Sequence, residues 1–555
     1  MMIKHEIAGM VEQAAASARE SGELPAVALP EIVIERPQRG EHGEYATNLP
    51  MRLARTARAN PVELAQTIAR HMPKSDAVAR VEVAPPGFVN FHLSESWLAR
   101  QVETILEAGA DFANVSVGQG QKVQVEFVSA NPTGPLHAGN GRWAALGSTL
   151  VRVLRAAGYQ VEAEYYFNDA GTQIEIFGRT LYARYQQLFG RDVPLPEDGY
   201  PGSYMAELAE QAREKFGESL LKPEGEPAPE ELTGFGVEQV MGWIRSDLSS
   251  LGVEYDTWYR EQTVYDSGNF DKVMALLRER SLVIEREGAV WFATSQMDAD
   301  KDEVLIRSSG LPTYLSTDIG YHYDKFITRK FDRVIDIWGA DHQGHVRPLK
   351  LAIEAMGLDQ ERLQIIIGQL VTLRRGQETL KLSKRSGDIV TLREVIDEVG
   401  PDACLYFFLS RSADVPIDFD LELAKQQSSE NPVYYIQYAH ARIAGILDHA
   451  GDLLAAGDDE GDVRLLAHEA ELALIRKMLL LPELIETIAR TLEPHHLPHY
   501  AQDLATSFHD FYEKCRVIDP EQPDLSRARL KLATAAKSVL ATTLGLMGMS
   551  APDKM

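Results

Sequence analysis

The sequence predicts an α/β protein. A central unit built on a parallel sheet lies between an N-terminal α+β domain and a C-terminal all-α helical bundle. Three observations carry this prediction. Strand and helix patterns alternate near residues 120–167 and again near 333–371, as in βαβ units. Before them, short strand pairs sit among helical stretches; beyond about residue 430 only helical periodicity remains. With 555 residues the chain also exceeds one simple core.

The elements follow in order. The N-terminus reads as an amphipathic helix, "EIVIERP" as a strand, and "EYATNLPMRLARTAR" as an entry into a second helix. "VARVEVAPPGFVNFHLS" reads as two strands around a Pro-Pro-Gly turn. In "KVQVEFVS", Val123, Val125 and Phe127 alternate onto one face. The loop "NPTGPLHAGNGR" follows, then helical spacing at Leu146, Leu150, Val153 and Leu154 until Gly158. "YQVEAEYYF" is the next strand. The stretch 188–240 holds "PLPEDGYPGS" and "KPEGEPAPEE", and reads as an insertion made of loops. The alternation resumes with strand "DRVIDIWG", helix "GHVRPLKLAIEAMG" and strand "LQIIIGQLV". These readings place domains at 1–112, 113–430 and 431–555.

Composition narrows the function classes. Hydrophobic residues make up 45% and charged residues 25%, ordinary for a globular chain. No run of about eighteen apolar residues occurs, so no membrane span is expected. The N-terminus lacks the apolar core of a signal peptide, and Cys404 and Cys515 cannot build a disulfide framework. A reducing cytoplasm is the expected location. The formal net charge of −26 argues against non-specific nucleic-acid binding, though not against a shaped RNA surface with local basic patches.

Two loops carry chemistry. A loop from a parallel strand into a helix offers phosphate the helix's free N–H groups. In "NPTGPLHAGNGR", His137 and Asn140 are candidate donors, and Gly139 and Gly141 would let a nucleotide approach the backbone. Alone, this is as easily a tight turn. The second loop is "KLSKRSG", where Lys381, Ser383, Lys384 and Arg385 suit a triphosphate that gains charge during transfer. Alone, it is as easily a solvated basic loop. Together they resemble the HIGH and KMSKS signatures of class I aminoacyl-tRNA synthetases. "SANPTGPLHAGN", "YYFNDAGTQIEIFG", "YLSTDIGYHYDKF", "WGADHQGH", "KLSKRSGDIVTL" and "SSENPVYYIQYAHARI" narrow the resemblance to arginyl-tRNA synthetases over nearly the whole chain.

That resemblance implies a Rossmann-type catalytic domain, an N-terminal domain at the RNA elbow and a helical anticodon-binding domain. It implies an arginine pocket at Ser129, Asn131, Glu261, Tyr314, Asp318 and Gln343. A guanidinium has five donors in a rigid fork and asks for such carboxylates. It implies ATP binding by His137, Gly139, Asn140, Asp341, His342, Lys381, Ser383 and Lys384, with His137, Asn140, Lys381 and Lys384 acting on the phosphates and Mg²⁺ arriving with the nucleotide. Tyr438, Arg442 and Arg527 are the candidates for contact with tRNA(Arg). Tyr434, Tyr435 and His440, and a basic patch at Arg527, Arg529 and Lys531, are weighed beside them. A metal site at His342 and His345 is not expected, and the family is commonly monomeric. The chain departs from the pattern at Asn140, where histidine is usual, and at Leu382 and Arg385. Two alternatives stay open: a silent RNA-binding paralogue, and a small-molecule nucleotidyltransferase. Arginine-dependent pyrophosphate exchange separates the three.

Overall fold

The computed structural model describes residues 2–169, 171–223, 225–376, 378–380, 390–451 and 461–555. The N-terminal unit packs helices α1 (Ile3–Glu20), α2 (Leu49–Ala57), α3 (Pro61–Arg70) and α4 (Glu95–Ala108) with a small antiparallel sheet. Its strands β1 (Ile34–Glu35), β2 (Tyr45–Thr47), β3 (Val78–Ala84) and β4 (Phe88–Leu93) run in the order β1-β2-β4-β3. Helix α1 buries Ile3, Ile7, Met10, Val11 and Ala14, the spacing that sequence periodicity marks.

The central sheet contains β5 (Lys122–Glu126), β6 (Gln160–Phe167), β7 (Thr257–Arg260), β11 (Arg333–Gly339) and β12 (Leu363–Gly368). All neighbours are parallel, in the order β12-β11-β5-β6-β7. The order therefore reverses between β5 and β11. In open parallel sheets, ligands bind in the crevice at such a switch point, beyond the carboxyl ends of the strands. Helix α5 (Ala138–Ala156) follows β5. It is buried along most of its length, with Ala144, Leu150, Val153 and Leu154 at 0% exposure.

The insertion departs from the expected loops. Between α6 (Thr172–Gln187) and β7 stand two helices, α7 (Tyr204–Phe216) and α8 (Glu230–Ser250). They bury Met205, Leu208, Ala209 and Ala212 from α7, and Leu232, Phe235, Val240 and Ile244 from α8, in the main core. The Pro- and Gly-rich stretches are only the connections between these helices.

Residues 269–306 supply helix α10 (Asn269–Glu279) and the antiparallel strands β8 (Val283–Arg286), β9 (Ala289–Phe292) and β10 (Glu303–Ile306). Helix α11 (Tyr314–Tyr323) then returns to the sheet and runs into a π-helical turn, Asp324–Thr328. After β12, strands β13 (Val371–Arg375), β14 (Glu378–Leu380) and β15 (Ile417–Asp420) form a small sheet, with helices α13 (Leu392–Val399) and α14 (Pro401–Leu409) between them in sequence. The C-terminal part is helical throughout its described residues. It comprises α16 (Pro432–His449) and helices Glu469–Met478, Leu480–Thr491, His496–Lys514 and Pro523–Met547. No described helix is long and apolar enough to cross a membrane.

Candidate active site

The site is assembled at the carboxyl edge of the central sheet. Beyond β5, Val128 and Ser129 take positive φ values of 69° and 41°, turning the chain sharply under the crevice. The loop ends at His137, the extended N-cap of α5. The Asn140 side-chain oxygen accepts from the His137 backbone N–H at 3.0 Å, closing the first turn of the helix. Its amide NH₂ remains as a donor. A Cβ at Gly139 would stand 2.9 Å from the His137 ring and push it aside. Gly141 serves packing instead of ligand approach: a Cβ there would strike Phe408 at 2.5 Å and Leu392 at 2.7 Å.

Lys381, Ser383, Lys384 and Arg385 lie outside the described residues. Their flanks are placed. Strand β14 ends at Leu380. On the far side, Ala138 N–H donates to the Val390 carbonyl at 3.1 Å, and Leu392 N–H donates to the Leu136 carbonyl at 2.8 Å. Val390 and Leu392 thus lie against the first turn of α5.

Arg142 ties these parts together. Its guanidinium is fully buried, and burial lowers its pKa to about 10. It donates at 2.7 Å to the carbonyls of Gln369, Ser412 and Val415. One side chain thereby joins helix α5 to the start of β13 and to the loop before β15.

The candidate arginine pocket lies across the crevice. Asn131 donates to Gln173 at 2.8 Å and accepts from Asn168 N–H at 3.3 Å. Ser129 donates to Glu126 at 2.9 Å and accepts from Tyr166 N–H at 3.1 Å. Tyr166 donates its hydroxyl to Glu261 at 2.7 Å. Tyr314 and Asp318 stand one turn apart on α11; Tyr314 is 53% exposed, whereas Asp318 is half-buried. Among the described residues the Asp318 carboxylate has no hydrogen bond or ion pair. Burial, then the nearby Glu126, Glu261 and Asp336 charges, push its pKa well above the ordinary carboxylate value. Burial likewise raises Glu261, with Asp169 adding to the effect and the Tyr166 hydrogen bond opposing it. The pocket holds more negative charge than it can ionise alone, which suits a cationic ligand.

Asp341, His342 and Gln343 sit in the 3₁₀ segment Ala340–His345 after β11, all exposed at the other lip of the crevice. The described candidates for the arginine and nucleotide sites therefore follow the carboxyl ends of the sheet's strands or stand on α11 facing them, whereas Lys381, Ser383 and Lys384 are outside the described residues. Sequence reading passed over Tyr166, Glu126, Asp336 and Lys325, which support the pocket from below. For Glu126 a signal existed, because a carboxylate inside a strand of a parallel sheet is out of place unless paired. For Lys325, nothing in "YHYDKF" marks it as buried.

On the helical domain, Tyr438 is 37% exposed and stacks with Tyr434 and His509, each at 6.0 Å. The Arg442 guanidinium lies 4.3 Å over Tyr512 and 5.6 Å over Tyr438. Tyr435 is half-buried against the core, and its ring lies 4.9 Å from that of His509. His440 does not belong to this surface: it is 3% exposed and hydrogen-bonds the Pro552 carbonyl at 2.9 Å. Arg527 lies 20 residues before the end of its helix, so about 30 Å along it, whereas α16 meets the chain just past that end through His440. The expected basic patch is largely neutralised: Arg527 pairs with Asp524 at 2.5 Å, Arg529 with Glu471 at 2.6 Å, and Lys531 with Glu103 at 3.6 Å.

Comparison with known proteins covers each part of the chain. Residues 1–93 match the family model of the arginyl tRNA synthetase N terminal domain. Residues 101–405 match the class I (R) tRNA synthetase catalytic domain, and 436–555 the DALR anticodon binding domain. The chain is 50% identical to an arginine–tRNA ligase of Dehalococcoides mccartyi over 555 residues, covering 100% of this chain and 99% of that protein. It is 46% identical to an arginine–tRNA ligase of Heliobacterium modesticaldum over 559 residues, with the same coverage. Thermus thermophilus arginyl-tRNA synthetase shares the fold at a TM-score of 0.77, 23% identity and full coverage of both chains.

Proposed function

From the premise that the chain belongs to the arginyl-tRNA synthetase family, we propose roles for its residues in the family's reaction. That reaction is the ATP-dependent joining of L-arginine to tRNA(Arg). The arginine carboxylate attacks the α-phosphate of ATP, forming arginyl-adenylate and releasing pyrophosphate. The terminal ribose hydroxyl of the tRNA then takes the arginyl group, and AMP leaves.

The observation that carries the residue assignment is the unpaired Asp318 carboxylate beside Glu261. Together they meet the positive charges of arginine, with Tyr314, Ser129, Asn131 and Gln343 around it. His137 and the amide NH₂ of Asn140 hold the α-phosphate at the start of α5, where the helix dipole favours negative charge. Gly139, Asp341 and His342 line the nucleotide's path. Lys381, Ser383 and Lys384 close over the leaving pyrophosphate, and Mg²⁺ enters with the nucleotide. Positioning and charge stabilisation do most of the work.

Tyr438 and Arg442 form the surface on which unpaired anticodon bases stack. Arg527, paired with Asp524, stands outside that surface. The active unit is one chain, working in the cytoplasm. Charging of tRNA(Arg) with labelled arginine tests the assignment. His137→Ala and Lys384→Ala each lower kcat by about a hundredfold or more. Unchanged rates in both would remove these residues from the mechanism.

A further inference from the structure

The register of the central sheet places three carboxylates side by side. Asp336 on β11 pairs with Glu126 on β5, and Glu126 pairs with Glu164 on β6. They are 0%, 6% and 0% exposed. Neighbouring strands lie about 4.8 Å apart, so such a row cannot stay charged without cations. Two cations arrive from one direction. Lys325, itself fully buried, sits in the π-helical turn just after α11, with Nζ 2.6 Å from Glu126 Oε2 and 2.9 Å from Asp336 Oδ1. Arg329 pairs with Glu164, and with Glu162 at 2.6 Å. π-helical turns inside or after α-helices recur at functional sites.

The same helix that delivers Lys325 carries Asp318. His322 joins the two levels: Nδ1–H donates to the Asp318 carbonyl at 2.8 Å, and Nε2 lies 2.8 Å from Asp336 Oδ2. We propose that Lys325 is a specificity-determining positioning residue, engaging Glu126 and Asp336 from beneath the pocket so that Glu261 and Asp318 are the carboxylates left for a dicationic amino acid. This rests on the reading of Glu261 and Asp318 as arginine's partners.

The charge balance follows from who faces whom. Asp318 on α11 is faced by Glu126 from β5, Glu261 from the end of β7, Asp336 from β11 and Lys325 from the π-turn. The Tyr166 and Tyr265 hydroxyls stand nearby. Lys325 is faced by Asp336, Glu126 and Glu164, and its ammonium lies 4.1 Å from the Tyr321 ring centre. Burial alone would raise Asp336, but the Lys325 ammonium and His322 hold it down, at about 2. Lys325 favours the ionised form of Asp318, and Asp336 disfavours it.

The two neighbours therefore act on Asp318 in opposite directions, which a merely structural role would not produce. The experiment measures KM for arginine and for ATP from pH 6 to 9 in the full-length enzyme. It compares the wild type with Asp318→Asn, Lys325→Met and Asp336→Asn. In the wild type, KM for arginine rises toward acid pH. Lys325→Met moves that acid limb to higher pH and raises KM for arginine at neutral pH about tenfold. Asp336→Asn moves the limb to lower pH. KM for ATP stays within about twofold in both. Limbs that move the same way, or ATP and arginine KM values that rise together, overturn the proposal. Asp336→Asn keeps the side chain's shape and one acceptor oxygen for Lys325, so an unmoved limb in that variant overturns it even where Lys325→Met does not fold. An unchanged KM for arginine in Asp318→Asn would instead overturn the pocket reading itself.

Discussion

Asn140 and Asp318 are both polar residues of the crevice, and the sequence made each legible only in part. The motif position of Asn140 points to a phosphate donor. The structure adds that its oxygen is committed to the His137 N–H, so the side chain also caps α5. Asn140→Ala is expected to cost about 1 kcal/mol in urea unfolding, beyond any loss of activity. Asp318 was legible as a carboxylate for a guanidinium, but not its raised pKa, because the burial that raises it most, and the Glu126, Glu261 and Asp336 that add to it, come from segments distant in sequence. The sign of its pH effect is fixed. The free carboxyl has a raised pKa and arginine binds the ionised form, so affinity falls as pH drops through that raised value. At neutral pH, Asp318→Asn removes a partly buried charge partner and is expected to weaken kcat/KM for arginine by about 3 kcal/mol, roughly a hundredfold.

At the scale of elements, the βαβ alternation and the C-terminal helices were readable because their apolar periodicity is strong. The insertion was not, because its Pro- and Gly-rich connections masked two good helices. Met205, Leu208, Ala209 and Ala212 do carry helical spacing, and they pack in the core. Leu208→Ala is expected to destabilise the protein by about 2–4 kcal/mol in a urea titration. A loop would tolerate the change, so a cost within about 0.5 kcal/mol would contradict the helical packing. Arg142 was equally hidden. It reads as one more surface cation, whereas its three carbonyl bonds fasten α5 to the segments around the second loop. Arg142→Met takes the donor from the Gln369 and Val415 carbonyls, while the Ser412 carbonyl keeps the Val415 N–H, and is expected to cost about 3 kcal/mol, seen as a lower denaturation midpoint.

Across the whole molecule, the N-terminal unit is docked on the helical domain by partly buried ion pairs. Arg36 meets Glu483 at 2.9 Å, and Arg476 meets Glu44 at 2.7 Å. Helix α4 packs against Pro523–Met547. The two ends of the chain therefore form one continuous support beside the catalytic sheet, a relation that no local sequence pattern reports. With a net charge of −26, the RNA contact proposed above rests on a few local cations, such as Arg442 on its aromatic surface. Tyr438→Ala is expected to raise KM for tRNA while leaving KM for arginine unchanged, by the loss of one stacking platform of about 1–3 kcal/mol.

The central claim is that this crevice activates arginine with ATP. Arginine-dependent exchange of labelled pyrophosphate into ATP, with tRNA(Arg) present and with lysine and citrulline in parallel, tests it most directly. Rapid exchange is expected with arginine alone among the three, falling about a hundredfold at subsaturating arginine in Asp318→Asn. Exchange with citrulline at a comparable rate, or none with arginine, would contradict it.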